Sequence, residues 1–268
     1  VCFEGWAGAE AERALIRLAS FVHDPKLIDQ VILGFKRAMS KDPVPRALFH
    51  QALVADLEER LKARPRYRVV HFVLSPWLGI DVSTIVKFKA MKDKAYLIAR
   101  ESGISGGASV FHPYRLKCSS CGSAIPDYSK ACPACGCTVF KWFWSPHFHV
   151  VGFGWLENTG LGYAQHGWVV KNLGVRKSVF ATFQYLLSHA GVSSVGLHTV
   201  TWFGRLSYRA LAHVPKVGSV LEICPYCGRP LRPLIWTHED RGPPAVELSR
   251  VHPVLNDFDG ESSDWRNI

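Results

Sequence analysis

The sequence predicts an α+β fold: a central antiparallel β-sheet with helices packed on one face. Three observations carry that expectation. Residues 5–63 place apolar side chains at helical spacing. Beyond them, β-branched and aromatic runs at 66–75, 108–114, 138–153, 168–171 and 197–203 read as about five strands. Two C-x-x-C pairs lie between the second and third of these runs, so those strands form a hairpin around a cysteine-rich insertion.

The 268 residues are 48% hydrophobic, enough to build a real core. The net charge is +10 and the pI near 9.3, which favours acidic partners, nucleic acid above all. No apolar run reaches the ~18 residues needed to span a bilayer. The start, Val1-Cys2-Phe3-Glu4-Gly5, has neither a basic n-region nor a signal core. A cytoplasmic protein with no membrane partner is expected. The missing initiator Met suggests a piece of a longer chain.

Taken in order, the first helix spans about Ala7 to Ser20. Asp24-Pro25 announces the second, as an N-cap followed by proline in the first helical position. The third runs from Pro45 through Leu61, with Leu48, Leu53, Leu57 and Leu61 as its apolar stripe. RYRVVHFVLS (66–75) is the first strand. A basic helix follows between Asp81 and Glu101, carrying Lys87, Lys89, Lys92 and Lys94. Gly106-Gly107 then opens the strand Ala108 to Tyr114, which bears His112.

Cys118-Ser-Ser-Cys121 and Cys132-Pro-Ala-Cys135 are spaced as in a zinc ribbon: each knuckle turns two thiolates inward toward one tetrahedral, closed, structural Zn²⁺. Gly122 and Gly136 stand where such knuckles require positive φ. Cys137 is read as a bystander. Pairing at this spacing argues for a reducing compartment rather than disulfides.

The run from Thr138 to Phe153 holds Pro146-His147-Phe148-His149-Val150. On a strand, His147 and His149 point to the same face and offer two imidazoles side by side. Imidazole is the commonest protein metal ligand, although two hydrogen-bonded core histidines would leave the same trace. A glycine-rich loop is expected from Gly152 to Gly167, then the strand Trp168 to Lys171. The helix Ser178 to Ala190 gathers Val179, Phe180, Phe183, Leu186, Leu187 and Ala190 on one side. Ser178, Thr182, Tyr185 and His189 form a polar stripe beside them. Tyr185 and His189 are neighbours at i and i+4. After the strand Leu197 to Phe203, a short helix near Leu206 to Ala212 and a strand from Val217 to Ile223 are expected. Cys224 and Cys227 form a lone knuckle for a second zinc, with His198, His213 and His238 as candidate partners. The polar, proline-rich end from Asp240 reads as a loose terminus.

At these residues the chain resembles a known family, the HUH endonucleases. PHFHVVGFG resembles their His-hydrophobe-His motif, RVVHFVLSP their first motif strand, and QYLLSHAG their tyrosine motif, over about residues 66–205. With the cysteine knuckles, the layout looks most like archaeal plasmid or viral rolling-circle replication initiators. The resemblance implies an RRM-like core at 64–215, an inserted zinc ribbon at 115–138, an N-terminal helical region at 1–63 and a C-terminal extension at 216–268.

It further implies a site-specific single-stranded DNA endonuclease and strand transferase. Tyr185 would be the nucleophile, forming a 5′-phosphotyrosine. His147 and His149 would hold Mn²⁺ or Mg²⁺ with His189 as third ligand and His71 or His112 as alternatives. The substrate would be single-stranded DNA at a replication origin, with host helicase and polymerase as further partners. Many initiators carry a lysine three residues after the tyrosine; here Ser188 stands there. No second tyrosine lies in the helix, as expected of a single-nucleophile enzyme. A transposase or relaxase of the same superfamily, or a zinc-ribbon DNA-binding protein without activity, are the alternatives. Lys171, Arg176 and Lys177 are candidate DNA contacts. So are Trp142, Phe143, Trp144, Trp155, Trp168 and Trp202, interleaved with Lys141 and Arg205, by stacking and phosphate contact.

Overall fold

A computed structural model describes residues 3–41, 46–77, 85–125, 131–157, 159–190 and 199–215. Three helices open the chain: α1 (Phe3–Val22), α2 (Pro25–Lys41) and α3 (Arg46–Lys62). Asp24 Oδ1 accepts from the Lys26 N–H at 2.9 Å and so caps α2, as expected from the Asp-Pro pair. There follow β1 (Val69–Pro76), α4 (Ile85–Glu101), β2 (Ile104–Cys118), β3 (Phe140–Gly154), α5 (Thr159–His166), β4 (Trp168–Val175), α6 (Val179–His189) and β5 (Val200–Gly204). The fold is α+β, with one five-stranded sheet in the order β4-β1-β3-β2-β5 and every pairing antiparallel. The His-x-His strand, β3, is therefore central.

Helices cover both faces of the sheet, not one. Alternation along β3 decides which side each takes. Val151 and Phe153 join Val69, Ala108 and Val110 in a core shared with α1, α2, α3 and α6. Phe148 and Val150 join Val70, Phe72 and Leu74 against Phe88, Met91, Ala95 and Ile98 of α4. The expectation of one covered face failed because the basic side of α4 hid its apolar side.

Three further readings change. Gly106-Gly107 does not open a strand; it lies inside β2, which pairs there with both β3 and β5. A Cβ on Gly107 would meet Val151 O at 2.7 Å, so the close approach of β2 and β3 requires glycine. The loop expected between Gly152 and Gly167 contains α5. Its buried Gly162 presses the helix on β4, where a Cβ would meet Val170 Cγ2 at 2.5 Å. The short helix expected near Leu206 to Ala212 is a run of turns. Its carbonyls are taken instead by buried Arg17 of α1, which donates to Leu206 O (2.8 Å), Ser207 O (2.9 Å) and Leu211 O (2.9 Å). The strand expected from Val217 to Ile223, and Cys224, Cys227, His198 and His238, lie outside the described residues. Among those described, no helix is long and apolar enough to cross a membrane.

Candidate functional site

Register brings four histidines to one face of the sheet. His112 of β2 lies directly opposite His147 of β3, and directly opposed residues share a face. His149 follows two residues on. His71 of β1 opposes Val151, so it joins the same side. A bulge sits beside them: between His112 and Tyr114 the partner on β3 jumps from His147 to Trp144. Pro113 and Pro146 stand at that irregularity, where neither can donate to the ladder.

One ring nitrogen from each of His112, His147 and His149 lies within 4.8 Å of the others, so the triad could hold a metal ion. Each ring is held through a nitrogen. His147 Nδ1–H donates to Ser145 O at 2.7 Å. His112 Nε2–H donates to Leu186 O at 2.8 Å. A carbonyl only accepts, so the neutral rings present His147 Nε2 and His112 Nδ1 as lone pairs. His149 Nδ1 pairs with His71 Nε2 at 2.9 Å. Metal-binding histidines are ordinarily fixed this way by their second nitrogen.

Electrostatics keep His71, His147 and His149 neutral, the form that binds metal. Burial, then the charge of Arg115, pushes His147 down to about 3 against the pull of its bond to Ser145. Burial, then Arg176, pushes His71 down to about 4. His149 falls well below its ordinary value through burial and then the charges of His112, His147, His71 and Arg115.

Helix α6 lies over this face. Ser178 caps it by accepting from the Ala181 N–H at 3.1 Å. Buried Glu58 of α3 accepts from the Phe180 N–H (2.8 Å) and from Ser178 Oγ (3.1 Å) at the same end. Phe183, Leu186 and Leu187 enter the core. On the polar stripe, Thr182 Oγ1 accepts from Arg176 Nε at 3.1 Å. Tyr185 is 55% exposed, and the carbonyl that receives His112 belongs to the next residue. His189 closes the helix, and its side chain lies outside the described residues. The triad within the described residues is completed by His112. His71, the other alternative to His189, instead braces His149.

Beyond the bulge, β2 and β3 continue as a two-stranded arm that ends in the cysteine knuckles. One sulfur from each of Cys118, Cys121, Cys132 and Cys135 lies within 4.8 Å of the others, a second group able to hold a metal ion. The knuckles repeat each other: Gly122 N–H donates to Cys118 O (3.0 Å) and Gly136 N–H to Cys132 O (2.8 Å). Both glycines have φ of 72°, as the spacing requires. The Ser123 hydroxyl and backbone pull the Cys121 thiol down to about 6. Cys137 bonds Ser120 Oγ at 3.2 Å and stands outside the group of four.

Lys171 and Lys177 are exposed, and Arg176 is half-buried beside α6. Of the aromatic candidates, Phe143, Trp144 and Trp155 are exposed and Trp142 is half-buried. Trp168 is core, and Trp202 packs under Arg17. The sequence reading missed Arg115. Its guanidinium bonds Ser75 Oγ at 2.6 Å and influences His147 and His149. One arginine among many on an edge of a strand run carries no pattern that could have singled it out.

Fold and site together define an α+β protein with two groups of side chains suited to metal ions, one of imidazoles and one of thiols. The chain matches no family model, no curated protein and no solved structure.

Proposed function

We propose that this chain is a metal-dependent endonuclease and strand transferase for single-stranded DNA, acting at a replication origin through a phosphotyrosine, as rolling-circle initiators do. The observation that carries the reading is the joining of the histidine triad to α6. His112 belongs to the triad, and its Nε2 holds the carbonyl of the residue next to Tyr185.

His112, His147 and His149 would hold the cation. Three neutral nitrogens and no carboxylate favour Mn²⁺ over Mg²⁺. A cation held there would supply Lewis acidity for a non-bridging phosphate oxygen. Tyr185 Oη would attack phosphorus and pass its proton to solvent water, to which it is exposed; the bond from phosphorus to the 3′-oxygen would break, and that oxygen would take a proton from water. The products are a 5′-phosphotyrosine and a free 3′-OH. Lys171, Arg176 and Lys177 would contact the strand's phosphates, with exposed Phe143, Trp144 and Trp155 as stacking partners. The four thiols of Cys118, Cys121, Cys132 and Cys135 would hold a structural Zn²⁺ in an RRM-like core's inserted ribbon.

The test is incubation with origin-type single-stranded DNA and Mn²⁺, read as a covalent adduct on a denaturing gel. Wild type is expected to form it and Tyr185→Phe to lose it. An adduct from Tyr185→Phe would move the nucleophile to Tyr163 or Tyr208. Absence of any adduct while DNA and zinc binding persist would make the protein a DNA-binding module.

A further inference from the structure

Arg115 reaches across the sheet. In the strand order β1-β3-β2, Arg115 stands on one neighbour of β3 and Ser75 on the other, yet Arg115 Nη2 donates to Ser75 Oγ at 2.6 Å. Its side chain must therefore pass over β3, since the two outer strands lie roughly 10 Å apart. Leu74 pairs with Phe148, so Ser75 lies level with His147. Ser75 also alternates with Leu74 and so shares the face of Val73, the partner of His149. The guanidinium thus crosses the histidine face beside His147.

Its surroundings leave it without a counter-ion. Arg115 is half-buried and desolvated, which lowers its pKa. Among the described residues its side-chain hydrogen bond goes to a neutral hydroxyl, and no carboxylate pairs with it. A guanidinium carries five donors in a planar fork suited to phosphate oxygens. The adjoining triad brings no negative charge either. A divalent cation held there, with Arg115 beside it, would make a strongly positive and partly buried surface suited to an anion.

We propose that Arg115 is the phosphate clamp of the histidine site, taking the non-bridging oxygens of a phosphodiester held against the triad. The proposal rests on the endonuclease reading for its substrate and goes beyond it in naming the group that receives the phosphate. As the phosphorus gains a fifth oxygen, its equatorial oxygens gain charge, and a fixed guanidinium stabilises that charge.

The experiment uses the full chain loaded with Mn²⁺. Free Mn²⁺ is followed by electron paramagnetic resonance, and binding of a thymidine dinucleotide by the relaxation that bound Mn²⁺ induces at its phosphorus. Arg115→Gln is expected to hold Mn²⁺ as tightly as wild type or tighter, because a neighbouring cation is gone. It should bind the dinucleotide about tenfold more weakly and form the adduct about 10²-fold more slowly. Arg115→Lys keeps the charge but loses the fork; it should bind the dinucleotide at least about threefold more weakly with Mn²⁺ affinity unchanged.

Dinucleotide binding within twofold of wild type in a Mn²⁺-loaded Arg115→Gln protein overturns the clamp. Should that variant not fold, equal binding by Arg115→Lys overturns it. Wild type that binds Mn²⁺ but no dinucleotide also overturns it. Dinucleotide binding that depends on Arg115, with no adduct on any single strand, keeps the clamp and defeats the endonuclease reading.

Discussion

His112 Nε2 lies 2.8 Å from Leu186 O, so one imidazole links β2 to the helix that carries Tyr185. The same ring contributes to the triad. The triad that could hold a metal ion and the seat of α6 are therefore joined through one side chain. His112→Ala should lose both: Mn²⁺ affinity falls about 100-fold or more with a ligand gone, and thermal stability drops as Leu186 O loses its donor. Titration calorimetry and a melting curve read the two separately. Unchanged Mn²⁺ affinity would remove His112 from the metal set.

His71 touches His149 and not the triad's centre. As a brace rather than a ligand, His71→Phe should weaken Mn²⁺ binding by about tenfold, within the range for lost outer hydrogen bonds. His147→Ala should abolish it. An equal loss in the two variants would make His71 a ligand.

The buried rings set a pH dependence for the metal-free protein. His71 titrates near 4 and His147 near 3 in the folded chain, against an ordinary value of 6.5. As pH falls below 6.5 the unfolded chain takes up protons first, so the folded state loses stability. The contribution is complete above about 6.5 and declines toward pH 3–4, by roughly 1.4 kcal/mol per ring for each step in pH. Urea midpoints in EDTA should be lower at pH 5 than at pH 7.5. Equal midpoints would mean that these rings are not buried neutral.

Glu58 fixes the start of α6 through Phe180 N–H and Ser178 Oγ. Glu58→Ala should destabilise by about 1–2 kcal/mol, since it strands two part-buried donors. Ser178→Ala should cost about 1 kcal/mol as a lost cap. Adduct formation should fall with Glu58→Ala more than Mn²⁺ binding does, because α6 shifts while β3 does not.

Among the described residues, the cysteine knuckles rest on a small core of Cys118, Ile125 and Cys132, with Leu116, Cys137 and Phe140 against it. A core this small would draw its stability from the Zn²⁺ proposed for the four thiols. Titrating the thiols with a mercurial should release one zinc per knuckle pair and melt the arm while the sheet persists. Cys137→Ser should leave that stoichiometry unchanged.

The central strand and the helix after it were legible because periodicity is local. Alternation set His147 and His149 on one face, and 3.6-residue spacing set Thr182 and Tyr185 beside an apolar side. The knuckles were legible for the same reason, down to the positive φ of Gly122 and Gly136. Contacts between distant segments were not. Nothing in the sequence joins His112 to Leu186, His71 to His149, or Arg115 to Ser75, because strand register and helix placement bring each pair together. The covering of both faces by helices, and the capture of the turn after β5 by Arg17, arose likewise from packing. By itself the sequence determined which residue types were available for metal and phosphate chemistry and on which side of each element they stand. Tertiary structure alone decided which of them share a site, since the nitrogens of a metal triad must meet within a few ångströms and only the folded sheet sets that distance.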